Sequence, residues 1–223
     1  MSNFLILILS YFFIIFSVIG YGIGFQKIIV KKFKEYNFGY LGLFGIFFLI
    51  IYSYFSNIFI AHSKLHNFII LFIGFSFFIY EFLFSKKTNF KKQNLITILS
   101  SLILFISILI YKNHDDFAYY HFPYTYLLTQ QDLLIGIGNF GHGFRTHSSI
   151  FYLNSLFYIP FSSFFLFNFG ALLILIYSNL ILLNKFFKNF SGIKTLLDHE
   201  FFKYIIFFVF VFINIFFYRI AEH

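Results

Sequence analysis

The sequence predicts an all-α polytopic membrane helical bundle of about six transmembrane helices, with one long outer loop carrying interfacial helices. Three observations carry that prediction. Sixty per cent of the 223 residues are hydrophobic and only 11 % are charged, with a mean hydropathy of +0.85. A soluble domain is nearer a quarter charged, so too few charges are present to cover a water-facing surface. Apolar blocks close to bilayer-crossing length recur along the chain, and lysines collect in alternate links between them. The same figures exclude disorder, collagen and coiled coil. The net charge of +8 forms no basic stripe, which argues against nucleic acid as a partner. With no cysteine, disulfides and thiolate chemistry are absent. The 43 phenylalanines partly reflect codon bias and do not define a binding surface.

A helix needs about 20 apolar residues to cross the hydrocarbon core. The blocks are 4–25, 38–60, 67–84, 95–111, 161–183 and 201–218. Backbone groups in lipid must be satisfied internally, so each is read as a helix. The first is a retained span, because Met1-Ser2-Asn3 lacks a basic n-region and the block is too long for a signal peptide. In the second and third, Gly42, Gly45, Ser53, Ser56 and Gly74 suit close helix packing, as do Ser100 and Ser101 in the fourth. Glu81 closes the third block and is expected to snorkel toward Lys86 or Lys87. Pro160 divides the fifth, so 148–159 is expected to be an interfacial helix and 161–183 the span. The chain therefore reads as four spans (1–111), an outer loop (112–160) and two further spans (161–223).

Orientation follows from the basic residues. Lys27, Lys31, Lys32 and Lys34 follow the first block, and Lys86, Lys87, Lys91 and Lys92 follow the third. Lys185, Lys188, Lys194 and Lys203 flank the link between the fifth and sixth, which puts twelve of the sixteen basic residues in alternate links. By the positive-inside rule those links are cytoplasmic. The N-terminus and the 112–160 loop are then extracytoplasmic, in the inner (plasma) membrane.

Polar chemistry converges in that loop. It holds Asp115, Asp116 and Asp132, His114, His121, His142 and His147, and Arg145. Adjacent carboxylates repel, so one keeps a proton or the pair binds a cation. On a helix, Asp115 shares a face with Tyr119, and Asp116 with Tyr120. A carboxylate at the bilayer edge is placed to accept a proton from an acceptor hydroxyl. The alternative is that one Asp caps a helix over 116–122. Gly136, Gly138 and Gly141 match G-x-G-x-x-G without the strand context of a dinucleotide site. They, with Asn139, bare backbone N–H groups that would fold around an anion, with Arg145, His142 and His147 adding charge. The competing reading is a turn between interfacial helices. His142 and His147 are five apart and share no helical face, which argues against zinc. A divalent cation held by Asp115 or Asp116 with a donor phosphate stays open, and no other cofactor is implied.

The run Asp115-Asp116-x-x-Tyr119-Tyr120-His121-x-Pro123, followed by Gly138-Asn139 and Arg145-x-x-Ser148-Ser149, resembles a group of bacterial inner-membrane glycosyltransferases of the GT-C class. The motif match covers residues 113–155. The resemblance implies a polyprenyl-phosphate-linked sugar as donor and a glycan, lipid or protein acceptor on the outer face. It implies the catalytic base, or a metal ligand, at Asp115 or Asp116, with Arg145 as a phosphate contact. In such enzymes the catalytic loop follows the first span, whereas four spans precede it here, and members are usually longer. A fragment, a split gene product and a minimal relative are the readings this leaves. A non-enzymatic transporter or flippase component for lipid-linked glycans is the alternative from another class, although nearly charge-free spans disfavour ion coupling.

Overall fold

The computed structural model describes residues 2–29, 37–84, 88–109, 116–145, 147–160 and 162–190, with 203, 205, 206 and 209. Among these residues all regular structure is helical. Helices α1 (Ser2–Ile29), α2 (Phe38–Asn57), α3 (Lys64–Phe84) and α4 (Thr88–Leu109) come first. A π-helical turn (Phe117–His121) leads into α5 (Phe122–Gln130). Two 3-10 turns (Ile137–Phe140 and His142–Arg145), α6 (Ser149–Ser155) and α7 (Phe169–Phe190) follow. Three helices, Asn3–Ile29, Phe38–Asn57 and Lys64–Phe84, are long and apolar enough to cross a membrane. The apolar part of α7, Phe169–Lys185, is shorter. Helix α4 carries Lys91, Lys92, Gln93 and Asn94 in its first two turns, so its apolar run begins only at Leu95. The block expected at 201–218 lies almost wholly outside the described residues.

Small residues let the helices approach closely. A Cβ on Gly20 of α1 would strike the carbonyl of Gly74 in α3, and one on Gly45 of α2 would strike the carbonyl of Val18. Those contacts make α1, α2 and α3 one packed unit, as expected where lipid supplies no hydrophobic drive between helices. Buried tyrosines tie the helices further. The Tyr11 hydroxyl donates to the Ser101 carbonyl at 2.7 Å, Tyr21 to Ile70 at 2.6 Å, and Tyr177 to Ile15 at 2.8 Å. Each O–H left unpaired in an apolar interior would cost about 1–3 kcal/mol.

Successive long helices run in opposite directions, so the bundle has two distinct ends. At one, the Lys27 ammonium meets Glu81 at 2.6 Å. Glu81 is therefore held by α1, because α1 and α3 run parallel and their last turns meet; Lys86 and Lys87, the partners expected from sequence, lie outside the described residues. At the same end Gln93 accepts from the Phe38 N–H at 3.1 Å and from Asn184 at 3.0 Å. The other end carries residues 58–63 and 116–168.

Two expectations about the fifth block differ from the structure. Helix α6 is shorter than 148–159 and its last five residues are buried. Residues 162–168 form turns, so α7 starts at Phe169 and not at 161. Asn154 of α6 sets that start by accepting from the Gly170 N–H at 2.8 Å, which satisfies a donor of the first turn of α7. A side chain on Gly170 would collide with Asn154.

Candidate functional site

Pro123 shapes the first part of the 116–160 segment. It has no N–H, and its ring crowds the carbonyl four residues back. The chain widens into a π turn immediately before it, where the Phe122 N–H reaches back five residues to the Phe117 carbonyl. Asp116 stands at the head of that turn and makes no capping bond. Its carboxylate instead accepts from the Tyr120 hydroxyl at 3.4 Å, the i, i+4 pairing expected from sequence. Partial burial, and then the Asp116 charge beside it, raise the Tyr120 hydroxyl above its ordinary pKa, so it stays protonated and donates. Asp115 and His114 lie outside the described residues.

The glycine tract packs onto this turn. Gly143 lies against the face of Tyr120, whose ring atoms would clash with any Cβ there. Gly136 adopts φ +79° and Gly141 φ +153°, backbone that side-chain-bearing residues rarely take. The reading of this tract as a turn is thus realised as two 3-10 turns. Gly138 lies beside Arg145, with its would-be Cβ 3.5 Å from the arginine Cγ. Tyr124, fully buried, donates toward His147 Nδ1 at 3.2 Å, because burial holds its hydroxyl well above the ordinary range. Tyr119, Asn139, His142, Arg145 and His147 are exposed. His121 packs its ring on Phe151. The structure thus joins Asp116, Tyr120 and His121 to the Arg145-bearing turn through Gly143. Tyr119 projects outward. Among the described residues no three His, Asp or Glu side chains group as a metal site would need.

A second polar constellation went unnoticed in the sequence. His62, in the 58–63 link, is completely buried. Its Nδ1 lies 2.6 Å from the Ser155 hydroxyl and its Nε2 2.9 Å from the Ser56 hydroxyl. Ser155 donates its own proton to the Tyr152 carbonyl at 2.7 Å. It therefore accepts from His62, which places the histidine proton on Nδ1 and leaves Nε2 to accept from Ser56. Asn67 donates to the carbonyls of His62, Ser155 and Tyr158 at 2.8, 2.8 and 2.9 Å. Burial, with His66 beside it, lowers the His62 pKa to about 3. Asn57 donates to the carbonyls of Leu128 and Gln131 at 3.2 and 3.3 Å. These bonds clamp α5 and α6 to the ends of α2 and α3, giving the exposed residues a rigid base. The sequence signal was faint: two histidines four apart beside an asparagine at the start of an apolar block.

No family model matches the chain, and neither the curated proteins nor the solved structures contain a match.

Proposed function

We propose that the chain is a multi-pass inner-membrane glycosyltransferase that uses a polyprenyl-phosphate-linked sugar at the extracytoplasmic face. The supporting observation is that Asp116 and Arg145, 29 positions apart, sit on turns packed together through Tyr120 and Gly143 at one end of the helical bundle. In this reading an acceptor hydroxyl attacks the anomeric carbon and loses its proton to Asp116 or its neighbour Asp115. The sugar–phosphate C–O bond breaks and the electron pair leaves with the polyprenyl phosphate. Arg145, assisted by His142 and His147, balances that charge beside the Gly138–Asn139 turn. A divalent cation at the aspartate pair would serve the same charge balance. The acceptor is a glycan, lipid or protein. The reading includes six spans, cytoplasmic lysine-rich links and an outer segment facing away from the cytoplasm.

Arginine offers a planar fork to two phosphate oxygens, whereas lysine offers a point charge. A polyprenyl monophosphate, the leaving group common to every such donor, should bind the protein in nanodiscs. Arg145→Lys should weaken that binding partially. Arg145→Ala should weaken it by about tenfold or more, the scale of a lost charge-assisted contact. Equal binding by the wild type and Arg145→Ala would remove the phosphate role.

A further inference from the structure

Two exposed apolar prongs stand at the outer end of the bundle. In the first, Leu134 turns inward against the cluster formed by Tyr124, Leu128, Ile137, Phe151 and Tyr152, while Leu133 and Ile135 turn outward at 52 % and 84 % exposure. Phe140, 77 % exposed, follows on the next turn. In the second, Phe164 packs on Phe122 and Tyr158, while Phe165 is 75 % exposed. Both prongs depend on strained backbone. Leu133 (φ +36°) and Ser163 (φ +47°) are the two non-glycine residues with positive φ among those described. Such a conformation persists only where its surroundings impose it. Here it turns large apolar side chains outward, which water would not reward.

The position of the prongs identifies what covers them. The Leu133 N–H donates to the carbonyl of Asn57, the last residue of α2, at 2.8 Å. Phe165 lies four residues before α7 begins. The first prong is therefore fixed at the end of α2, where Phe55 and Phe59 are also exposed, and the second just ahead of the start of α7. Exposed Gln130, Gln131 and Asp132 precede the first prong in the chain and exposed His142 and Arg145 follow it, the mixture of apolar and polar side chains that suits an interfacial element. We propose that Leu133, Ile135, Phe140 and Phe165 enter the headgroup and acyl boundary of the bilayer and hold the outer segment down on its surface. This rests on membrane embedding and is independent of the transfer chemistry.

The chain contains neither Trp nor Cys, so single reporters are unambiguous. In vesicles of phosphatidylcholine and phosphatidylglycerol, Ile135→Trp and Phe165→Trp should be quenched by lipids brominated near the headgroup and shielded from aqueous iodide. Phe72→Trp on the exposed face of α3 supplies the lipid reference, and His142→Trp the aqueous one. Because Trp itself favours interfaces, Ile135→Cys should also react several-fold more slowly than His142→Cys with a membrane-impermeant maleimide. Iodide quenching of both prong reporters, or equal alkylation of the two cysteines, would overturn the proposal. Loss of lipid quenching at Phe72→Trp as well would overturn membrane embedding along with it.

Discussion

Both ring nitrogens of His62 are engaged by serine hydroxyls, and burial, with His66 beside it, holds the residue in its neutral form. Its pKa is about 3 in the packed state, whereas a released histidine titrates near 6.5. Above about pH 6.5 neither state binds the proton and the packing has no pH dependence from this group. As pH falls from there toward 3, only the released state gains a proton, so the clamp weakens by up to about 1.4 kcal/mol per pH unit. Protection factors for amide exchange in α5 and α6, taken against the intrinsic exchange rate at each pH, should therefore fall on going from neutral pH to about pH 5, and His62→Gln should abolish that slope. Unchanged protection across the range would refute the clamp. The Asp116–Tyr120 contact was legible in the sequence because it obeys helical spacing. The His62 contacts were not, because Ser155 is 93 positions away and hydrogen bonds between elements follow no period.

At the level of elements, the long apolar helices were the most legible, since each is defined by a composition that continues for twenty residues or more. The 116–160 segment was less so. Pro123 signalled a disturbed helix but not a π turn, and the late start of α7 depends on Asn154 reaching Gly170 across a 16-residue separation. The glycine tract permits a sharp test. A Cβ on Gly143 meets the Tyr120 ring, whereas one on Gly24 of α1 has open space. Gly143→Ala should destabilise the outer segment by about 1–3 kcal/mol, the usual scale of overpacking. It should also weaken polyprenyl monophosphate binding although Arg145 is intact. Gly24→Ala should be neutral or slightly stabilising, because alanine is the better helix former. Limited proteolysis of the 116–160 segment at matched expression reads both effects. Equal resistance of Gly143→Ala and the wild type would mean that the turn does not rest on Tyr120.

For the whole molecule, composition pointed to a helical chain with segments apolar enough to cross a membrane, because eight acidic and sixteen basic residues cannot solvate a 223-residue surface. Orientation is a matter of charge distribution and can be tested by fusion. A reporter active only outside the cytoplasm should work after Asn139 and be silent after Asn89, and the reverse pattern would invert the proposed topology. Function was the least legible, because chemistry depends on which exposed side chains meet at one surface. The turns that carry Asp116 and Arg145 pack through Tyr120 and Gly143, contacts with no signature in composition. Every sugar transfer of the proposed kind releases the same lipid product, whatever the sugar. The most direct measurement is therefore the formation of free polyprenyl monophosphate from polyprenyl-phosphate-linked sugars in membranes that also hold the acceptors. The account predicts steady release by the wild type and a loss on the order of 100- to 10,000-fold when Asp115→Asn and Asp116→Asn are combined, the cost of removing a general base. Equal release by the wild type and the double variant, at matched membrane insertion, would contradict it.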